Sequence, residues 1–549
     1  MHDDFAGRLP QDIIPTHYKL EINPDIEETT FSGTVEITFE QKDKSKPLPN
    51  VIKLHAHDPL VIDSVCRNDF PLEFEQKSHI LTISNFGDLS LPISILFHGI
   101  MNDGEEGSCY GMFKTENIIA TQFEADYASC VFPCFDEPCV RSTFEVTIVA
   151  PMSQHVLSNM PLASSQIMYN SRISHFQTTP PIPAYLVGFV IGSFESAHST
   201  TKRGVPIDVY GDYETCQNIL PIAIEAVEFM EEFTQINYPL PKLQLVLLPH
   251  FIFGGMENNG LITLRNYGKK KSHYTDLVYH EVSHHWAGNL ATIKWWDSLW
   301  IPEGLATLFP YLITEKLTNQ SLHPYVISKY QNRIMKQDSS PKTLPLQSAS
   351  GPETVFDDIT YVKGHLIFES LRSWCGDKLF KQCLQNFFKK YTYSNFDGND
   401  LKSCFPEKVH TIFDSLLAQS GFPVAILTDD GKACLKSFVS KKSKRSHEQL
   451  NKVYVLPIKV LIGKGDQVIE KDYIMGPDPI LIEEAKDADF IKLNNKSFTY
   501  CKVYHHDRWQ RALLKALEEK KIDEFEVQQA QNDMQYLIQH MELLLLNIP

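Results

Sequence analysis

The pentad His280-Glu281-Val282-Ser283-His284, followed nineteen positions after its second histidine by Glu303 in Trp300-Ile301-Pro302-Glu303-Gly304-Leu305-Ala306, decides how this chain is read. Residues at i and i+4 of a helix project from one face, so both imidazoles can reach a single ion at ~2.0–2.1 Å. Thr275 or Asp276 as a start and Gly288 as a stop predict a helix with the pentad at its middle. Glu281 lies about 100° further round, beside a metal-held water rather than among the ligands. Zinc lowers the pKa of such a water towards ~7, and a neighbouring carboxylate can take its proton and return it to a leaving amine. With 21 histidines in 549 residues, chance alone yields such a pentad in about one chain in twenty, so a third ligand is required. A connection of ~10 residues and a second helix beginning near Pro302 would return the Glu303 carboxylate to the first helix. Two histidines and one glutamate leave a fourth position open, as a catalytic zinc needs.

Working outward, 549 residues predict about three or four domains. Hydrophobic residues at 43% and charged residues at 22% are ordinary globular usage, which excludes collagen, coiled coil and wholesale disorder. No run approaches the ~20 apolar residues of a membrane span; the longest late one is Leu543 to Leu546. The first residues show no basic segment followed by an apolar one, so no signal peptide is visible. A net charge of −17 disfavours nucleic acid and anionic membrane as partners. The basic runs Lys269-Lys270-Lys271 and Lys441 to Arg445 lack interleaved aromatics and read as solvated loops. Eleven scattered cysteines, with Cys130, Cys134 and Cys139 fitting no zinc-ribbon spacing, predict buried free thiols in a reducing compartment, with the cytoplasm as default.

Tyr18 to Ile22 and Val35 to Phe39 alternate apolar and polar, and turn residues separate many similar runs up to Phe194. Helical periodicity begins at Ile219 to Phe233 and continues to about residue 425. Short strand-like runs return at Val453 to Leu456 and Val460 to Ile462. Near the C-terminus Met534, Leu537, Ile538 and Met541 form an apolar stripe predicted to dock in a core. The predicted class is α+β multidomain. It has an N-terminal antiparallel β domain (1–195), a mainly helical domain (196–428), a small β-sandwich (429–507) and a short C-terminal helical segment (508–549).

At the metal motif the chain resembles the aminopeptidase N-type zinc peptidases, the gluzincins. That family carries HExxH, eighteen residues, then Glu in a W-x-x-E-G context. Gly254-Gly255-Met256-Glu257-Asn258 is similar to its G-x-M-E-N exopeptidase signature. Thr121-Gln122-Phe123-Glu124, Phe132 to Pro138 and Pro15-Thr16-His17-Tyr18 match its N-terminal motifs, and Tyr361-Val362-Lys363-Gly364 matches its Y-x-K-G segment. The resemblance covers residues 8–510 and implies that 196–428 is a thermolysin-like catalytic domain. It also implies one zinc on His280, His284 and Glu303, with Glu281 as base and Tyr361 as oxyanion donor. It assigns the substrate α-ammonium to Glu257 and Glu124, and the groove to Gly254, Gly255 and Met256. The implied partners are peptides with a free N-terminus. Taken singly, the two acids read as solvated loop residues and Tyr361 as a packed aromatic; His285 reads as a packing or surface residue.

Three departures mark this chain. Pro302 stands where family members often have Asn. Pro310 replaces a second glutamate seven residues after the ligand, and proline inside a helix costs ~3 kcal/mol and kinks the chain. Loss of such a supporting glutamate typically weakens metal affinity or activity by about 10–100-fold. The helical segment after the sandwich is also shorter than the large domain that roofs the family's cavity. Two rivals follow: a weakened member acting as a peptide-binding scaffold, and an enzyme of the leukotriene-epoxide-hydrolase branch, which needs a long lipid tunnel.

Overall fold

Alternation of buried and exposed side chains along Ile13–Asp25 makes the opening segment a strand with one face inward, where Tyr18, Leu20 and Ile22 are buried. Tyr18 stacks on Phe144 of the neighbouring strand with ring centroids 4.7 Å apart. The computed structural model describes residues 8–105, 108–340, 343–348, 356–438 and 452–540. The basic run 441–445, Met541 and the apolar run 543–546 lie outside them. The chain divides into two compact units, residues 1–296 with 388–397, and 297–387 with 398–549.

The first unit opens with the expected β domain. Its largest sheet has eight strands and is antiparallel except where Ile13–Asp25 runs parallel to Thr143–Pro151. The motif Phe132 to Pro138 braces this sheet. Phe135 N–H donates to the Tyr18 hydroxyl at 3.1 Å, Asp136 N–H to His55 Nδ1 at 3.1 Å, and Leu9 N–H to Glu137 Oε1 at 2.6 Å. Strands continue past residue 195 in a mixed five-stranded sheet, in the order Glu195–Thr200, Pro206–Gly211, Leu243–Leu248, Leu261–Arg265, Gly255–Met256. Helix α1 (Tyr213–Thr234) makes the crossover between two parallel strands of that sheet, and α2 (Thr275–His284) packs on α1.

The second unit begins with α3 (Trp300–Thr318) and α4 (His323–Asp338). A π-helical turn, Ile359–Lys363, then leads directly into α5 (Gly364–Cys375). Strands from Pro423 to His505 form a four-stranded and a three-stranded sheet. After them come α6 (Asp507–Glu518) and α7 (Glu524–His540). The expected apolar stripe of α7 is rotated. Leu537 is buried with Val424 and Ile426, but Ile538 is exposed, and the acidic Asp533 faces inward. The reason is electrostatic: Asp533 accepts from the buried Lys502 ammonium at 2.6 Å, a desolvated pair that fixes the helix azimuth. Among the described residues, no helix is long and apolar enough to cross a membrane.

Candidate metal centre and its surroundings

Helix α2 carries the pentad, but not at its middle. It ends at His284, and His285, Trp286 and Ala287 turn back on Val282 and Ser283 through N–H···O bonds of 3.1 Å. The expected stop at Gly288 therefore lies four residues too late, because the chain tightens into a turn directly after the second histidine. That turn has a use. Ala287 carbonyl oxygen lies 3.0 Å from His284 Nδ1, so the proton sits on Nδ1 and Nε2 carries the lone pair. His284 Nε2 stands 3.1 Å from His280 Nε2, with the rings at 71°. Two basic nitrogens this close aim at one point, as chelation requires. His284 is buried and His280 half-buried.

Glu281 is buried and lies against the edge strand Gly255–Met256. A Cβ at Gly255 would sit 2.5 Å from Glu281 Oε1, so glycine here leaves room for the carboxylate. Gly254 is held close as well, since a Cβ there would meet Leu277 Cδ1 at 3.0 Å. Met256 is buried, its Sδ accepting from Gln122 Nε2 at 3.3 Å. Glu257 is buried and its Oε1 lies 3.6 Å from His284 Nδ1. Glu124, just beyond the strand Ile118–Gln122, is buried too, so neither acid is the solvated loop residue its isolated reading suggests.

His285 is fully buried rather than a surface residue. Burial pushes its imidazole down to about 3, leaving it neutral, and its Nε2 accepts the Gly260 N–H at 3.0 Å. Nothing in the sequence but its place next to a ligand could have flagged it.

Glu303 is buried near the start of α3, which begins at Trp300, two residues before the expected start. Pro302 thus falls in the first turn, where backbone N–H groups have no intrahelical partner and a missing one costs little. The connection from α2 is longer than expected. It spans residues 285–299 and holds the short strand Ala291–Ile293 and a 3-10 turn, Trp296–Ser298. Pro310 lies buried inside α3, whose helical run continues through it. Tyr361 is half-buried on the π turn, and this turn and α5 pack against α3. Backbones touch at that crossing: a Cβ at Gly304 would lie 2.8 Å from the carbonyl carbon of Gly364. Lys363 anchors the same turn. Its buried ammonium pairs with Asp338 Oδ2 at 3.0 Å, and Asp338 also accepts from Tyr500 Oη and from Gly421 N–H.

His280 and His284 lie in the first compact unit and Glu303 in the second. With the Glu303 carboxylate that the resemblance assigns as third donor, two imidazoles and one carboxylate without thiolate would make an open three-ligand site, the donor chemistry that suits zinc.

Residues 14–186 match the family model described as Peptidase M1 N-terminal domain, and residues 219–419 match Peptidase family M1 domain. The chain is 28% identical to a puromycin-sensitive aminopeptidase of Caenorhabditis elegans, over 92% of this chain and 58% of that protein. It is 29% identical to aminopeptidase M1 of Arabidopsis thaliana, over 85% and 57%. With aminopeptidase N of Lactococcus lactis subsp. lactis it shares 32% over 77% and 53%. The chain thus spans between half and three-fifths of the length of these relatives.

Proposed function

Because the chain belongs to peptidase family M1, we propose that it is a zinc-dependent aminopeptidase that removes single residues from the free N-terminus of a peptide. The observation that carries this reading is the pair of imidazoles from His280 and His284, whose Nε2 atoms stand 3.1 Å apart on one helix, with Glu303 as the third donor that the resemblance assigns. Zinc held there supplies Lewis acidity to the scissile carbonyl and acidity to a water, whose pKa falls towards ~7. Glu281, on the helix of the two histidines and beside the edge strand, takes the water's proton and returns it to the departing amine.

Glu257 and Glu124 accept from the substrate α-ammonium, which cannot leave water without anionic partners. Their fixed position lets only the first peptide bond reach the reacting groups. Gly254 and Gly255 lie at the outer edge of the five-stranded sheet, to which an extended peptide adds, and Met256 lines the groove behind them. Tyr361 donates to the oxyanion where negative charge develops. In this reading residues 196–428 form a thermolysin-like catalytic domain and 429–507 a β-sandwich.

A panel of fluorogenic aminoacyl amides, offered to purified chain with and without chelator, tests the proposal. Turnover should disappear on chelation and return with zinc. Folded, zinc-loaded chain that cleaves none of the panel, or turnover indifferent to chelation, would overturn it.

A further inference from the structure

The loop Glu257-Asn258-Asn259-Gly260 carries one of the proposed amine-binding carboxylates, and its backbone is gripped from outside by buried polar side chains. Asn289 Nδ2 donates to the Glu257 carbonyl at 2.8 Å. His285 Nε2 accepts from Gly260 N–H at 3.0 Å, and Lys242 Nζ donates to the Gly260 carbonyl at 2.8 Å. Asn159 Nδ2 donates to the Asn259 carbonyl at 2.9 Å. All four side chains are buried. Removing one strands a backbone group away from water, and the loop must move to recover a partner.

Two of these grips come from the segment directly after the metal-binding histidines. Asn289 N–H itself bonds the His284 carbonyl at 3.0 Å. Two hydrogen bonds therefore connect the backbone of His284 to that of Glu257, and a third bond ties Gly260 to the residue next to His284. The loop and the histidine turn are thus tied through Asn289 and His285.

We infer that His285 and Asn289 are positioning residues. They hold the Glu257 carboxylate at a fixed distance from the metal ligands, so that recognition of a free amine and the one-residue register depend on them although neither touches substrate. The inference rests on the amine role proposed for Glu257. Lys242 and Asn159 tie the same loop to the sheet and supply its other wall.

The test is equilibrium binding of leucine hydroxamate and of N-acetyl-leucine hydroxamate to zinc-loaded chain, by calorimetry, with zinc content measured in each sample. Asn289→Ala and His285→Leu should lower the preference for the free amine roughly tenfold or more, while zinc content and affinity for the acetylated compound hold. His285→Gln, which restores an acceptor at the same reach, should keep the preference. Should Asn289→Ala fail to fold, Asn289→Asp is isosteric, lacks the donor and carries the same expectation. An unchanged preference in Asn289→Ala and His285→Leu would overturn the inference, as would equal weakening of both compounds or a His285→Gln as impaired as His285→Leu. A wild type that prefers the free amine yet cleaves no aminoacyl amide would sink the proposed activity and leave the positioning role standing. A wild type with no preference would remove the amine role of Glu257 and this inference with it.

Discussion

In the proposed reading Glu281 and Tyr361 take different parts of the chemistry, and their variants should separate cleanly. Glu281→Gln keeps a side chain of the same size on α2 and spares the three proposed metal ligands, so zinc should stay while kcat falls by about 10²–10⁴. Full turnover in that variant would remove the base. Tyr361→Phe should lower kcat by about 10²–10³ with little change in KM, because the lost hydrogen bond strengthens only as the oxyanion forms. Steady-state kinetics on one aminoacyl amide decides it, and an unchanged kcat would take Tyr361 out of the role. At this scale the pairing of His280 with His284 was legible, since i and i+4 spacing alone puts both rings on one helix face. His285 was not. A neutral buried imidazole accepting one backbone N–H leaves no mark in the sequence, because its partner Gly260 is brought to it only by the fold.

Element boundaries were harder to read than element identities. The sequence predicts helices around the pentad and around Glu303, and both exist. Yet α2 stops at His284, where the Ala287 carbonyl meets the histidine, and α3 starts at Trp300, ahead of its proline. The end of α2 is set by hydrogen bonds in the turn that follows it, which periodicity does not register. The crossing of α3 with α5 was invisible for the same reason. Gly304 and Gly364 read as parts of two separate motifs, whereas in space each makes room for the other's backbone. Gly304→Val should therefore force the helices apart and cost ~1–3 kcal/mol, read as a lower denaturant midpoint. A midpoint equal to wild type would show that the contact is slack.

For the whole molecule, composition gave a multidomain chain, and an N-terminal β domain followed by a largely helical region is what forms. The rotated face of α7 came from Asp533 turning inward to Lys502, a pairing across thirty-one residues that no local pattern announces. Stability of the folded chain should fall in mild acid. Burial holds the His505 imidazole down at about 3, against 6.5 for an ordinary histidine, while its Nε2 accepts the Leu493 N–H at 3.0 Å. As the pH drops below about 6.5 the unfolded chain takes up a proton that the folded chain refuses. This contribution is complete above that pH and is lost on the way down to about 3, at up to ~1.4 kcal/mol per pH unit. His505→Gln should flatten the difference in unfolding free energy between pH 7 and pH 5, and an equal slope in both proteins would contradict the assignment.

X-ray absorption at the zinc edge, on chain loaded with one equivalent of zinc, addresses the metal centre directly. Two imidazole rings and a carboxylate oxygen at ~2.0–2.1 Å are expected, with one light atom more in the open position. A sulfur shell near ~2.3 Å, or a spectrum lacking two imidazoles, would contradict the centre built from His280, His284 and Glu303.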